Sequence, residues 1–567
     1  MPILQWLPNY RKSYLAGDIS AGFTVGVMLI PQGMAYAMIA GLPPVYGLYA
    51  ALVPNLIYAL FGSSRKLAVG PVALDSLIVA SGMAAMALPS NETYIAMALF
   101  LALFMGIIQL ALGVLKMGFL ANFLSRPVVN GFTSAAAIII GISQLKYVLG
   151  IEITSSKTVE TLSQLVQKLH LLNWADVAVG LGSIGVILGL KRLSKKLPAA
   201  MLVVILGILG IYFLVPNSVG VTLLGNIPSG LPRFQGHHLN AQMWIQAFPL
   251  CMALAFIAFA EAMSMAKAVE EQQNEYFTKP NQELRALGLA NILGSFFQAY
   301  PTNAGLSRTA VNVDEGAKTG FSAFISAAIV ALCLLFLTPY FRFLPKAILG
   351  AIIIVAVLKL IDFKTPKKLW QSQRQEFALF ALTFLTTLLI GISQGIILGV
   401  LFSLLLLVYR TSSPHIAVLG KIPGYDYFKN VDRFGEEVEV HPEILLLRFD
   451  AQLYFANVGH FVRAIKKQVV ERSGRLRYII LNAESVNYMD STAIREIEKI
   501  VLDLKEQGIV FKIAGAIGPL RDIFYRSGLV EVIGQSNIYV RTAEAYEDSL
   551  NKIERQPIQS KVSLQHR

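Results

Sequence analysis

The sequence predicts a polytopic α-helical membrane domain of about fourteen spans, set out as two sevens in an inverted repeat, followed by a soluble α/β domain. Three observations carry this. Of 567 residues, 55% are hydrophobic and 15% charged, and the mean hydropathy is +0.58, which is too apolar for a soluble globular chain of this length. Apolar runs long enough to cross roughly 30 Å of hydrocarbon recur through the first 411 residues. After residue 435 they give way to short β-branched runs alternating with amphipathic stretches.

The elements follow in order. Residues 1–17 contain prolines, Arg11 and Lys12 but no long apolar core, so they read as an interfacial, cytoplasmic lead-in and not a cleavable signal peptide. The membrane domain is expected over 18–411. Uninterrupted spans are placed at 19–39, 46–62, 94–115, 127–145, 174–190, 198–214, 246–267, 319–341, 344–361, 375–392 and 393–411. Three further segments are short or punctuated: 68–88 with Gly70-Pro71, 284–299, and 301–317. A linker is expected over 412–435, a soluble domain over 436–550 with strands near 443–449, 478–481 and 509–513 and helices over 458–471 and 491–507, and a frayed polar tail over 551–567.

The net charge of +13, from 48 basic against 35 acidic residues, is an orientation signal in so apolar a chain and does not indicate a nucleic-acid surface. With the N-terminus in the cytoplasm, the clusters Arg65-Lys66, Lys191-Arg192 with Lys195-Lys196, and Lys364 with Lys367-Lys368 all fall inside, although Lys157, Lys168, Arg342 and Lys346 fall outside. An even number of spans puts the C-terminus inside as well. Cys251 and Cys333 lie in apolar runs and read as buried reduced thiols. The seven histidines are scattered, and no nucleotide loop, nucleophile–base pair or metal-spaced His/Cys set occurs, so neither an enzyme nor a cofactor is expected. Asn91-Glu-Thr93 is a glycosylation triplet without meaning in a bacterial protein, the source to which the short termini point.

The chemistry concentrates at Arg308. A cation at mid-membrane costs about 2.5–3.5 kcal/mol even on lenient insertion scales, so it normally faces a cavity or a partner. Pro301, Gly305 and the polar Thr302, Asn303 and Ser307 interrupt the helix just before it, leaving free amides at the start of a new half-helix. An anion is the natural ligand. A second interrupted segment, 68–76, occupies the matching place in the first seven, and paired broken segments point to a mid-membrane site in an inverted repeat.

Several motifs together resemble the SulP anion transporters, relatives of animal solute carrier family 26: Pro31-Gln-Gly-Met-Ala-Tyr36, Gly41-Leu-Pro-Pro-Val-Tyr-Gly-Leu-Tyr49, Gly62-Ser-Ser-Arg-Lys-Leu-Ala-Val-Gly-Pro-Val-Ala73 and Leu306-Ser-Arg-Thr-Ala-Val-Asn312 with Gly316-Ala-Lys-Thr319. Phe449-Asp-Ala-Gln-Leu-Tyr-Phe-Ala456 and Tyr488-Met-Asp-Ser-Thr-Ala493 resemble a STAS domain. The resemblance implies a core domain (spans 1 to 4 and 8 to 11) that carries substrate past a gate domain (spans 5 to 7 and 12 to 14) in a homodimer. It also implies that Gln32 and Tyr36 contact the anion, that the amides near Val72 and Ala73 cap it from one side, and that Ser307 and Arg308 do so from the other.

Glu261, deep in span 8, is the proton-coupling residue on this resemblance, pairing with Arg308 when no anion is bound. Asp75, next to the site, is a further coupling or ion-binding candidate. In Asp490-Ser491-Thr492, Ser491 is a regulatory phosphorylation candidate or simply part of a helix cap. The expected function is proton-coupled symport of sulfate across the bacterial inner membrane by an elevator-type movement. The alternatives are sodium-coupled bicarbonate uptake, chloride/bicarbonate exchange, and an anion-sensing regulator that signals through STAS.

Overall fold

The computed structural model describes residues 1–555 apart from 85, 87, 89, 124, 154–157, 194–197, 215–219, 238–240, 274–276 and 473. Lys157 and Lys195-Lys196, used above for topology, lie outside the described residues, as does 556–567 of the expected tail. The chain forms two compact units, Met1–Ser403 and Leu404–Arg567.

The first unit is helical. Among the described residues, six helices are long and apolar enough to cross a membrane: Lys12–Ile39, Asn91–Val114, Arg126–Leu149, Trp174–Leu193, Met243–Glu270 and Phe321–Phe343. Shorter apolar helices include Val45–Phe61, Ala73–Ala84 and Ala199–Phe213, and Pro280–Phe296, Leu306–Asp314, Lys346–Val357 and Arg374–Leu389 lie over the other expected segments. Large apolar side chains such as Leu181, Leu206, Phe213, Ile245 and Phe336 stand exposed on this unit, as lipid-facing residues do. Helices not expected include Thr158–Gln167 and Lys364–Ser372. Both are too short and polar to register as apolar runs.

Close backbone contact explains several glycines. A Cβ on Gly47 would sit 1.8 Å from the Gly33 carbonyl oxygen, and one on Gly106 would sit 2.7 Å from that of Gly288. Helices Lys12–Ile39 and Val45–Phe61, and likewise Asn91–Val114 and Pro280–Phe296, therefore cross backbone to backbone, the small-residue packing that membrane helices favour. Asp18, fully buried, accepts hydrogen bonds from the Lys318 and Thr319 amides, the Thr319 hydroxyl and the Tyr10 hydroxyl. It ties the start of the first long helix to the Gly316-Ala-Lys-Thr319 turn. Thr93 of the glycosylation triplet forms a reciprocal capping box with Ser90 at the start of its helix.

The two interrupted segments meet. Strand β1 (Val69–Gly70) pairs antiparallel with β2 (Asn303–Ala304), Val69 opposite Ala304 and Gly70 opposite Asn303. Each strand leads directly into a half-helix, Ala73–Ala84 and Leu306–Asp314. The backbone of both breaks is thus hydrogen-bonded inside the protein, the condition for irregular backbone at membrane depth.

The second unit holds a six-stranded sheet of order β4-β3-β5-β6-β7-β8, with β3 (Ile416–Lys421), β4 (Phe428–Asn430), β5 (Ile444–Phe449), β6 (Tyr478–Asn482), β7 (Val510–Ala514) and β8 (Ile538–Tyr539). Strands β5 to β8 run parallel, and β3 is antiparallel to both of its neighbours. This corrects the expected linker. Residues 416–421 and 428–430 are a hairpin of the sheet, hidden in sequence because Ile422-Pro-Gly424 between them reads as linker composition. The tail is corrected too: helix Thr542–Arg555 extends into it, with Ile553 buried against the sheet.

Candidate functional site

The crossing of β1 and β2 fixes Arg308. Its side chain is 1% exposed, and Nη1 donates to the Pro71 carbonyl at 2.8 Å. Nε and Nη2 are buried with no hydrogen-bond partner. The guanidinium lies within electrostatic range of the Tyr36 and Tyr300 hydroxyls. Gly305 is required locally, since a Cβ there would fall 2.5 Å from Nη2. The surroundings are cross-braced: the Gly305 amide donates to the Ala68 carbonyl at 3.0 Å, the Ala68 amide to Thr309 Oγ1 at 3.2 Å, and Asn312 Nδ2 to the Lys66 carbonyl at 2.8 Å.

Of the other residues picked out from sequence, Gln32 is 8% exposed with Oε1 unpartnered, and Tyr36 is buried. Both belong to helix Lys12–Ile39, which packs against each half-helix. Ala73 is buried at the first position of its half-helix and Val72, just before it, is half-buried; first-turn amides have no partner within a helix. Ser307 differs. It is exposed, next to the buried Arg308 in sequence but not itself part of the buried cluster.

The expected ion pair between Glu261 and Arg308 does not form. Glu261 Oε2 accepts a hydrogen bond from Asn303 Nδ2 at 3.2 Å, while Arg308 is held by Pro71. Asp75 is fully buried with both carboxylate oxygens unpartnered, and it interacts electrostatically with Glu261 and faces the same Asn303 carboxamide. Asn303 is therefore a hub between two carboxyl groups, with its own carbonyl oxygen accepting from the Ala304 amide at 2.8 Å. Sequence reasoning used Asn303 only as a helix breaker. Asn291, which binds both the amide and the carbonyl of Thr302, and Tyr300, whose hydroxyl meets Ser76 Oγ at 2.9 Å, were missed altogether. Their one signal was a polar residue in an apolar run.

Cys251 and Cys333 are buried and free. Among the described residues no cluster of three or more His, Cys, Asp or Glu side chains is placed to hold a metal.

In the second unit, Asp490 is the cap of helix Ser491–Glu506. Its carboxylate accepts from the Ala493 amide at 2.8 Å and from the Phe455 amide at 2.9 Å. Ser491 is exposed at the first helical position and does not cap. Lys512 is a buried cation on β7: Nζ donates to Asp548 and Ser549 at 2.7 Å and lies 4.7 and 5.1 Å from the ring centres of Tyr478 and Tyr539. Burial opposes ionisation of Asp548, yet hydrogen bonds from Lys512, Lys552 and Tyr539 hold its carboxyl well below the usual carboxylate range.

Fold and site together define a multi-pass helical membrane protein that carries a buried cationic site at the meeting of two interrupted helices, followed by a soluble α/β domain. The chain belongs to the sulfate permease family: residues 15–383 match that family's profile, and residues 436–545 match the STAS domain. It is 36% identical to the probable sulfate transporter 4.2 of Arabidopsis thaliana over 98% of this chain and 84% of the relative. It is 30% identical to a probable sulfate transporter of Mycobacterium tuberculosis over 96% and 98%. The murine solute carrier 26 family member A9 anion transporter shares the fold at a TM-score of 0.90 and 24% identity, covering 97% of this chain and 94% of that one. The transmembrane domain of the cyanobacterial bicarbonate transporter BicA does so at 0.59 and 22%, covering 70% and 98%.

Proposed function

We propose that this protein is a secondary active transporter of inorganic anions that imports sulfate in symport with protons. The observation that carries the anion site is the Arg308 guanidinium, pinned through Nη1 with Nε and Nη2 uncommitted, between two helix starts. A fork of charged donors suits an oxyanion, and the amides near Val72 and Ala73, with Gln32 and Tyr36, complete its surroundings. Ser307 contributes its backbone amide at the helix start in this reading, since its hydroxyl lies outside the cluster. That the relatives in plant and mycobacterium are sulfate transporters by name supports sulfate as the first anion.

Proton coupling rests on Glu261 and Asp75. Bringing a divalent anion to Arg308 places its charge near two carboxyl groups that share Asn303, and like charges in a low-dielectric site repel strongly. A proton on the pair removes that cost, so proton and anion travel together. Asn303 passes the coupling on mechanically, since it belongs to β2 and β2 is paired with the strand that leads to Pro71 and Ala73. The wider architecture in this reading is fourteen spans in a 7+7 inverted repeat, with the core domain moving elevator-fashion against the gate domain of a homodimer in the bacterial inner membrane, both termini cytoplasmic.

Asp75 also favours a second reading. A buried carboxylate with both oxygens unpartnered is a cation ligand in waiting, which would make the protein a sodium-coupled bicarbonate symporter. Uptake by proteoliposomes separates the two readings. Sulfate accumulation driven by a pH gradient supports the first, and bicarbonate accumulation driven by a sodium gradient at constant pH supports the second. Saturable binding without counterflow would reject transport and leave an anion-sensing regulator.

A further inference from the structure

We infer that residues 220–237 form a strap whose last part is docked on the helix that braces the anion site, and that each transport cycle undocks it. The inference rests on the alternating-access movement proposed above, in which helix Pro280–Phe296 travels with the core while Trp174–Leu193 and Lys346–Val357 stay with the gate. Residues 222–230 are laid along the connection between Leu334 and Lys346. Thr222 donates its amide and hydroxyl to the buried Asp176 carboxylate at 2.9 and 2.6 Å. Its carbonyl accepts from the Lys346 amide at 2.9 Å, the Leu224 amide donates to the Leu344 carbonyl at 2.9 Å, and the Gly230 amide donates to the Leu334 carbonyl at 3.0 Å. Ile227 is buried and Pro228 has a fixed φ, so this part has little slack.

The last part crosses to the end of helix Pro280–Phe296. The Gln235 amide donates to the Phe296 carbonyl at 2.8 Å, Gln298 Nε2 donates to Gln235 Oε1 at 3.1 Å, and Phe234 stacks on Phe296 with ring centres 5.6 Å apart. His237 Nε2 lies 3.0 Å from Ser295 Oγ; because that hydroxyl donates to the Ile292 carbonyl at 2.7 Å, its oxygen accepts from the imidazole. This end is the weaker one. Phe234 is 70% exposed and Gln235 is exposed too, whereas Asp176 at the other end is fully buried. Gly230, at φ +114° with open space where a Cβ would stand, supplies the hinge between the two parts, in a backbone conformation that glycine alone adopts readily. Docking bears directly on the anion site. Asn291, one turn before Ser295 on the same helix, holds the amide and carbonyl of Thr302, the residue before β2. A docked end therefore fixes the helix that fixes the break, and the helix travels only once that end is free.

The test bridges the docked end in the full-length protein reconstituted in proteoliposomes. Ser295→Cys places a thiol beside the His237 imidazole, a pair that holds a cadmium ion, while Cys251 and Cys333 are buried. Bridging is read by protection of the new thiol from maleimide labelling, which Ser295→Cys/His237→Ala should not show, and function by sulfate counterflow. Cadmium on both faces is expected to abolish counterflow in Ser295→Cys, to leave it unchanged in wild type and in Ser295→Cys/His237→Ala, and to be reversed by chelation. Gln235→Cys/Gln298→Cys, closed by a short bismaleimide, makes the same comparison if the first variant folds poorly, and closure should again stop counterflow. Full counterflow in a bridged protein would overturn the proposal and leave the transporter reading intact. Failure of both pairs to bridge would do the same, since the end would then not be docked. Absent counterflow in wild type would instead overturn that reading, and the role of the strap with it.

Discussion

Replacing Arg308 tests the anion site with a magnitude that follows from its geometry. The side chain spends Nη1 on Pro71 and has Nε and Nη2 uncommitted. Hydrogen bonds to a charged group contribute about 1.5–3 kcal/mol each, so two of them to an oxyanion are worth about 3–6 kcal/mol. Arg308→Ala should therefore weaken sulfate binding by roughly 10²- to 10⁴-fold. Arg308→Lys keeps a charge but not the planar fork and should lose about one bond, on the order of 10- to 100-fold. Both variants also release the Pro71 carbonyl, and the alanine leaves a cavity at a fully buried position, so thermal unfolding must be recorded beside transport. The assay is the concentration dependence of radiolabelled sulfate counterflow in proteoliposomes. Near-normal affinity in a folded alanine variant would refute the assignment of Arg308 as the anion's principal partner, and equal losses in both variants would refute the role of the fork.

Gly47→Ala should impair folding or transport severely, because its Cβ would lie 1.8 Å from a backbone oxygen that cannot turn aside; overpacking of this kind costs about 1–3 kcal/mol or more, and size-exclusion profile and melting temperature report it. In the STAS domain, Asp548 has a depressed carboxyl pKa when folded, so its contribution is present above the ordinary carboxylate value and is lost as pH falls through the folded one. Asp548→Asn should thus destabilise the domain at pH 7, with the gap to wild type closing as the medium is acidified; a pH-independent gap in thermal melts would contradict this. Deleting residues after Ser412 should leave a folded membrane unit, since that unit packs its own core, but lower transport or dimer stability. A monodisperse, fully active truncation would show the second unit dispensable.

Local signals served the sequence reading well and long-range ones did not. Arg308 stood out because a proline, three small polar residues and a glycine interrupt an apolar run just before a cation, and that interruption is legible without a partner. The paired break at 68–76 was legible by position. Nothing local announced that the two breaks would pair as β1 and β2, since two-residue strands have no periodicity and their pairing spans more than two hundred residues. The same limit explains Glu261. Its depth in a span marked it as functional, but whether it would meet Arg308 or Asn303 depends on how helix Met243–Glu270 packs against β2, which composition does not encode. In the second unit, amphipathic spacing revealed the helices at 458–471 and 491–507, whereas β3 and β4 were hidden by the proline and glycine of the turn that joins them. Asp490 caps instead of Ser491, a one-residue distinction that sequence does not make because Asp and Ser are equally good caps.

Sulfate accumulation driven by a proton gradient, compared between wild type and Glu261→Gln, tests the central claim most directly. Glutamine keeps the shape and can still bond to Asn303, but it removes the titratable charge. With the outside acidic and no sodium gradient, wild-type proteoliposomes should concentrate sulfate above the external level. The glutamine variant should retain counterflow and fail to concentrate. Accumulation by that variant at low external pH, or wild-type uptake indifferent to the pH gradient, would contradict proton coupling through Glu261.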